Sequence, residues 1–214
     1  MSPPPGQVPD LVARVAAGDR EAIVELLARY RARLRRMVAL RLDPRLRGRV
    51  DASDVIQEGY LDAIRRLEEY IRDPSVSFYI WLRFMVGQRV AEHHRRHPSR
   101  PGRDVGREVS IYRGAMPGAS TGALAARLLG KLTSPSQAAI RAERKLQLQE
   151  ALNRMDPIDR EILVLRHYEQ VSNVDAAAAL GLEKAAASKR YTRTLERLES
   201  ILGDLPGGVG GDVT

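Results

Sequence analysis

Residues 176–198, AAAALGLEKAAASKRYTRTLERL, place Gly181 between two alanine-rich runs of helix-forming residues. Only the second run carries basic residues, among them Lys184, Lys189, Arg190 and Arg193. A helix-turn-helix has this layout, because a short first helix and a tight turn position a second helix that enters the major groove of DNA. The stretch therefore predicts two packed helices with a basic second helix.

The apolar spacing around Gly181 agrees with this prediction. Ala177 is a small residue four positions before the glycine, where the two helices would cross. Leu180 and Leu182 flank the turn, and Ala187 and Tyr191 return at helical spacing. A solvated basic face on an ordinary amphipathic helix is the alternative interpretation. On the first interpretation, the outward side of the second helix offers side chains that bond phosphates and base edges: Lys184, Ser188, Lys189, Arg190 and Arg193.

Composition narrows the class of protein. The 214 residues carry a formal net charge of +8 and a pI near 10.2, which favours a polyanionic partner. The sequence has no cysteine, so disulfides and thiolate metal sites are excluded. The N-terminal MSPPPGQVPD lacks an apolar run, and no window of 18 apolar residues occurs. We therefore expect a cytoplasmic protein without a membrane span.

Helical periodicity dominates the chain, and no alternating strand pattern stands out. Asp51 and Ser53 predict the start of a helix that continues to Arg72, and Ser134-Pro135 and Asp156-Pro157 predict two later starts. Residues 98–134 mix glycine, proline, serine and arginine without period, apart from the short apolar piece ALAARLLGKL. We expect an all-α protein with two small helical domains joined by a flexible linker. The expected bounds are 1–9 (flexible N-terminus), 10–97 (first domain), 98–134 (linker), 135–202 (second domain) and 203–214 (flexible tail).

The second domain resembles a known family. LNRMDPIDREILVLRHYEQVSNVDAAAALGLEKAAASKRYTRTLERL, residues 152–198, is similar to region 4 of bacterial RNA polymerase sigma factors. Its most specific part is REILVLRHYEQVS, which generic helix-turn-helix repressors lack. The resemblance implies that the second helix reads the minus-thirty-five element, while the earlier helices contact the polymerase flap.

The first domain resembles region 2 of the same family. AGDREAIVELLARYRARLRRM, residues 17–37, matches its first helices. DASDVIQEGYLDAIRRLEEY, residues 51–70, matches the helix that docks on the clamp of core polymerase. The resemblance implies polymerase-binding roles for Asp54, Gln57 and Glu58. Acidic residues in a first helical turn also favour the helix dipole, so Asp54 has a local interpretation too.

The stretch FYIWLRFMVGQRVAEHHRRH, residues 78–97, matches the family helix that melts the promoter and reads the minus-ten element. Aromatic side chains beside arginines suit the binding of unpaired bases, which stack on aromatic faces. Phe78 and Trp81 fit a hydrophobic core equally well. The implied strand-binding residues are Ser75, Ser77, Phe78, Trp81, Arg83, Gln88, Arg89, Glu92, His93 and Arg96.

The two-domain layout resembles the extracytoplasmic-function (ECF) group of sigma factors. That resemblance implies a factor that joins core RNA polymerase through clamp and flap, and recognises and melts promoter DNA as duplex and as single strand. No sensor domain accompanies the two segments, so we expect regulation by another protein, such as an anti-sigma factor or a kinase.

Two other function classes are alternatives to a sigma factor. An enzyme is disfavoured, because the four histidines lack carboxylate partners at ligand spacing and no nucleophile motif or phosphate-binding glycine loop occurs. We therefore expect no catalytic residue, no metal and no cofactor, and interpret the histidines as contacts to DNA phosphates or to solvent. A stand-alone helix-turn-helix regulator is the stronger alternative, and it differs from a sigma factor in binding duplex DNA without polymerase.

Overall fold

The computed structural model describes residues 7–43, 45–46, 48–96, 108–111, 114–130 and 138–205. Its first part is a bundle of five helices: α1 (Gln7–Ala16), α2 (Arg20–Arg41), α3 (Ala52–Arg65), α4 (Leu67–Arg72) and α5 (Phe78–Arg96). Asp19 caps α2 by accepting from the backbone N–H groups of Glu21 and Ala22, and Asp51 caps α3 as expected. The single helix predicted to run to Arg72 is in fact α3 and α4, which are separated at Arg66 (φ −107°, ψ 11°).

The segment predicted as a linker contains regular structure. Strands β1 (Glu108–Ile111) and β2 (Gly114–Pro117) pair antiparallel, with Glu108 opposite Pro117, and α6 (Thr121–Gly130) follows. The backbone N–H of Ser120 donates to the carbonyl of Leu40 at 2.9 Å, which fixes the start of α6 against α2. The described part of 98–134 is therefore packed on both halves of the chain, with β2 on α5, β1 on the later helices Pro157–Leu163 and Asn173–Leu180, and α6 on the helix Ala138–Asn153 and on α2. Only its apolar piece was predicted to be helical.

The last part comprises α7 (Ala138–Asn153), α8 (Pro157–Leu163) with a π-helical turn (Val164–Tyr168), α9 (Asn173–Leu180) and α10 (Lys184–Gly203). Asp156 accepts from the N–H of Ile158 at 2.7 Å, with Pro157 in the first helical position, as the sequence predicts. The helix start predicted at Ser134-Pro135 lies outside the described residues. The all-α prediction is confirmed, with one short hairpin added.

Hydrophobic burial joins the two parts of the chain. One core cluster unites α1–α5 with Ile162, Leu165 and Val171, all at most 1% exposed. A second cluster collects α6, α7 and the end of α10 around Leu163 and Val164, and Leu40 of α2 also belongs to it. Because neighbouring residues of 162–165 supply both clusters, the two halves are in direct contact rather than held apart by a linker.

Close packing of α3 on α5 predicts a strong effect of Gly59→Ala. A Cβ atom at residue 59 would lie 2.6 Å from Cγ2 and 2.8 Å from Cα of Val86, so the two helices must move apart. We expect a loss of about 1–3 kcal/mol in the free energy of unfolding, measured by urea denaturation. Gly203→Ala is the matched helical control, since nothing lies within 4 Å of its Cβ position, and it should leave stability unchanged or slightly higher. Equal stability of the two variants would contradict the tight packing.

Candidate nucleic-acid interface

Helices α9 and α10 form the predicted helix-turn-helix. Ser172 caps α9 by accepting from the N–H of Asp175 at 3.0 Å, and Gly181 ends it with φ 63°, a left-handed conformation that glycine adopts without strain. The N–H of Leu182 donates to the carbonyl of Ala177 at 2.9 Å, closing the turn. Ala177 and Ala187 are buried, so small residues hold the helices together as the sequence predicts.

The outward side of α10 presents most of the predicted basic residues. Lys184, Ser188, Lys189 and Arg193 are exposed. Arg190 differs, because its Nη1 donates to Oδ1 of Asp159 at 2.6 Å and its side chain is 34% exposed. Asp159 lies on α8, so Arg190 ties α10 to α8 in this structure and is less free to reach DNA than the other four.

Phe78 and Trp81 lie in the core, which supports the core interpretation that the sequence left open. Phe78 is 4% exposed and Trp81 is 7% exposed. The Trp81 ring stacks on the Tyr70 ring, with the two centroids 4.8 Å apart. Phe78 also contacts Trp81, with ring centroids 5.4 Å apart. In this arrangement neither ring presents a face to an unpaired base.

Arg83 is also buried, which corrects the expectation that it faces DNA in this conformation. Arg83 is 1% exposed, and its guanidinium donates hydrogen bonds to two carboxylates. Nε donates to Glu169 at 2.6 Å, and Nη2 donates to Glu161 at 2.6 Å. Burial of an arginine requires such partners, since an unpaired buried charge is costly. Arg41 joins the same two carboxylates, with Nη1 3.0 Å from Oε1 of Glu169. We call Arg41, Tyr79, Arg83, Glu161 and Glu169 the buried charge cluster.

The pKa values within the buried charge cluster follow from its geometry. Burial alone raises the pKa of Glu169, but the charges of Arg83 and Arg41 and the hydrogen bonds from Arg83 and Tyr79 outweigh it and lower the pKa to about 2. Burial and the neighbouring Glu169 carboxylate raise the pKa of Tyr79, whose hydroxyl donates to Glu169 at 2.9 Å. Glu169 is therefore a carboxylate and Tyr79 a neutral phenol across the usual pH range.

The exposed side of α5 forms a polar surface with α3. Arg89 donates to Asp62 and to Glu92, at 2.6 Å in each case, and the hydrogen bond from Arg89 lowers the pKa of Asp62. His93 lies 3.2 Å from a carboxylate oxygen of Glu58, and Arg96 pairs with Glu92. Predicted strand-binding residues are thus connected to Glu58, a predicted polymerase contact.

The remaining predicted residues lie at the surface: Asp54, Gln57, Ser75, Ser77 and Gln88 are exposed.

The structure corrects the interpretation of one histidine. His94 does not face solvent alone, because its Nε2 accepts from the backbone N–H of Asp43 at 3.2 Å and burial lowers its pKa. His97 lies outside the described residues.

Sequence reasoning missed the residues that join the two halves of the chain. Arg33, Arg36 and Arg41 of α2 contact the segment around Glu169, more than 120 positions away. The many arginines on α2 were the sequence signal for this contact, but nothing in the local sequence indicates which segment these arginines bind.

Within the described ranges, no group of histidine, aspartate and glutamate side chains could hold a metal ion. Nor does any described helix combine the length and the apolar character needed to cross a membrane.

Comparison with known proteins gives two family matches and several relatives. The families described as Sigma-70 region 2 and Sigma-70 region 4 match residues 26–100 and 145–198. The ECF RNA polymerase sigma factor SigD of Mycobacterium tuberculosis is 30% identical over 192 residues, which is 88% of this chain and 81% of SigD. SigM of the same organism is 28% identical over 203 residues, covering 94% of this chain and 87% of SigM.

A solved structure titled as CnrH in complex with the cytosolic domain of CnrY is similar in fold, with a TM-score of 0.52 and 22% identity. The match covers 90% of this chain and 94% of that chain.

Loss of one carboxylate from the buried charge cluster should destabilise the fold. Glu169→Gln leaves two buried arginines facing one carboxylate, and we expect the free energy of unfolding to fall by about 3–5 kcal/mol. The folded-state pKa lies below the ordinary value of 4.5, so the contribution of Glu169 is complete above pH 4.5 and is lost as the pH falls toward about 2. Melting temperatures of both proteins between pH 2 and 7 measure this effect. Glu196→Gln on the exposed side of α10 is the control, and an equal effect of both substitutions would refute the cluster's role.

Burial of Trp81 predicts a stability defect in Trp81→Ala. We expect the free energy of unfolding to fall by about 3–5 kcal/mol, because the substitution removes the stacked ring and leaves a cavity. Trp81→Phe keeps an aromatic ring against Tyr70 and should lose less. Urea denaturation compares the two. Full stability of Trp81→Ala would instead favour the base-binding role.

Proposed function

The chain belongs to the ECF RNA polymerase sigma factors, and we propose how its residues divide the work of promoter recognition. A sigma factor binds core RNA polymerase and directs transcription to promoters by recognising and melting DNA. Members of the family are non-enzymatic initiation factors, and polymerase carries out the chemistry. The observation that carries our residue assignment is the exposed basic side of α10 behind a correctly capped helix-turn-helix.

Region 4 is assigned to residues 135–202, with α10 in the major groove of the minus-thirty-five element. Lys184, Ser188, Lys189 and Arg193 contact phosphates or base edges, because they are exposed on one element and have the donors that both require. Arg190 serves chiefly to hold α10 against Asp159.

Region 2 is assigned to residues 10–97, with the surface shared by α3 and α5 facing polymerase and the opened strand. Asp54, Gln57 and Glu58 contact the clamp. Gln88, Arg89, Glu92, His93 and Arg96 with the loop residues Ser75 and Ser77 bind the non-duplex DNA. Polar contacts between α3 and α5 support this division, since they fix Arg89 against Asp62 and His93 against Glu58 before DNA binds. Two weak modules on one chain then bind jointly at high effective concentration.

Regulation by another protein is proposed as well. CnrH forms a complex with the cytosolic domain of CnrY, and a protein partner of that kind or a kinase is the regulator we expect for this chain.

Run-off transcription with purified core polymerase across a genomic library tests the function directly. We expect new discrete start sites that share two upstream elements. Tight duplex binding by the protein alone, without new transcripts, would identify a stand-alone regulator instead.

The α10 assignment predicts a selective defect in Lys189→Ala with Arg193→Ala. Each lost contact to phosphate or base costs about 1–3 kcal/mol, so transcription at limiting protein should fall at least about tenfold. Binding to core polymerase, measured by co-migration on gel filtration, should not change. Arg31→Ala with Arg35→Ala removes the same charge from exposed positions of α2 that have no assigned contact to polymerase or DNA, and should keep most activity. Equal defects in both double variants would mean that total charge, not α10, governs promoter binding.

A further inference from the structure

The two halves of α10 are held in different ways. The C-terminal half carries Leu198 and Leu202, which are buried in the second core cluster. In the N-terminal half, residues 184–193, Ala187 alone is buried, and it belongs to the first core cluster together with Ala176 and Ala177 of α9. Alanine methyl groups let two helices approach closely but form only shallow ridges, so they resist rotation of one helix on the other weakly.

The rotation of this N-terminal half matters for promoter recognition. Lys189 and Arg193 lie four positions apart, so they share one side of the helix and move together when it turns. Hydrogen bonds to base edges require donors at defined positions in the groove, and a small displacement weakens them. Discrimination between promoter sequences therefore depends on the contacts that fix the orientation of α10.

Two polar contacts tie the N-terminal half of α10 to its neighbours. Nη1 of Arg190 lies 2.6 Å from Oδ1 of Asp159 on α8, and the two side chains are only 34% and 23% exposed. At the start of α10, Nδ2 of Asn173 on α9 donates to the carbonyl of Lys184 at 3.0 Å. The two contacts are six residues apart, or about 9 Å along the helix axis. Asn173 thus fixes the first turn of α10, and Asp159 fixes its orientation about that point.

Asp159 is a rigid support for this contact. It lies in the first turn of α8, whose N-cap Asp156 accepts from the backbone N–H of Ile158 at 2.7 Å. Ile162 and Leu163 hold the same helix in the core, each at 0% exposure. The Arg190 guanidinium therefore meets a carboxylate whose own position is set before DNA binds.

A ring contact lies beside the ion pair but restricts rotation less. The Arg166 guanidinium lies 5.2 Å from the ring centroid of Tyr191, and its Nη1 donates to the carbonyl of Val171 at 2.8 Å. A cation over an aromatic face is attracted over a range of positions, since the attraction comes from the whole ring. The short hydrogen bond between Arg190 and Asp159 is the more directional of the two contacts.

We propose that Asp159 is a positioning residue for promoter recognition, acting through Arg190 to orient the N-terminal half of α10. The proposal rests on the sigma-factor function and on the assignment of α10 to the minus-thirty-five element. Asp159 itself touches no base. It sets the angle at which Lys189 and Arg193 enter the major groove, so its loss lowers sequence discrimination more than it lowers binding in general.

Discrimination is measured with the complete holoenzyme, made from core polymerase and the full chain. The probes are the strongest promoter found by run-off transcription and the same promoter with the base pairs of its upstream element replaced. We expect Asp159→Ala to lower the ratio of transcription from the two promoters at least about threefold, because α10 is no longer held at one angle. A general electrostatic effect on DNA binding cancels in this ratio.

Two further variants serve as controls. Asp159→Glu keeps a carboxylate in the first turn of α8 and should retain most of the discrimination. Glu199→Ala removes one negative charge from an exposed position in the C-terminal half of α10, and its ratio should match that of the parent. An unchanged ratio in Asp159→Ala, or an equal loss in Glu199→Ala, would overturn the proposal.

A double-mutant cycle with Arg190 separates positioning from DNA contact. If Asp159 acts through Arg190, Asp159→Ala combined with Arg190→Gln should lose no more discrimination than the more defective single variant. The opposite role would make Arg190 a DNA ligand that Asp159 withholds. In that case Asp159→Ala would strengthen binding to both promoters and Arg190→Gln would weaken it on both, and the proposal would be wrong.

Two measurements distinguish this proposal from the proposed function and from simple unfolding. If the parent holoenzyme gives no promoter-specific transcripts, the sigma-factor assignment fails; if it does, and Asp159→Ala discriminates like the parent, only the positioning role fails. Melting temperatures from circular dichroism show whether region 4 remains folded. An equal loss of transcription from both promoters with a lowered melting temperature would show unfolding instead of reorientation, and would also overturn the proposal.

Discussion

Burying two arginines and two glutamates at one point imposes the arrangement on which the rest of this structure depends. Arg41 and Arg83 can leave water only where carboxylates meet them, and both carboxylates come from the other half of the chain. The ends of α2, α5 and α8 must therefore converge within hydrogen-bonding distance. The apolar residues beside them then fall into one core, with Ile162 and Leu165 packed among the residues of α1–α5.

Because these helices converge, the two proposed nucleic-acid surfaces differ in their exposure to solvent. The basic side of α10 points away from the interface, and its lysines and Arg193 stay in solvent. Helix α5 lies at the interface itself, so its sides divide the functions. One side carries Arg83 and Gly87 against region 4 and the hairpin, and the other carries Arg89 and His93 against the acidic residues of α3. A single helix thus serves folding, domain contact and the proposed strand binding.

Because of the hairpin and α6, the segment between the two regions does more than tether them. A connection that only tethers two modules sets their effective concentration through its length and stiffness. Here Met116 and Ser120 bind it to α5 and α2, so the described part of the connection also contributes buried surface. The sequence of this segment did not indicate the packing, because a strand of four residues is too short to show an alternating pattern.

The sequence alone determined several helix ends and the family. Asp156-Pro157, Ser172 and Gly181 fix helix ends through bonds to residues two to four positions away, so their effects are visible in the order of amino acids. The basic second helix and the motif before it identified region 4 in the same way. Tertiary structure alone decided which polar residues pair and which aromatic residues are buried. The sequence predicted a DNA contact for Arg83 and left Trp81 open between DNA and the core, and the partners that bury these side chains are up to 86 positions away. Such pairs form through packing of distant segments, and periodicity within one helix cannot specify them.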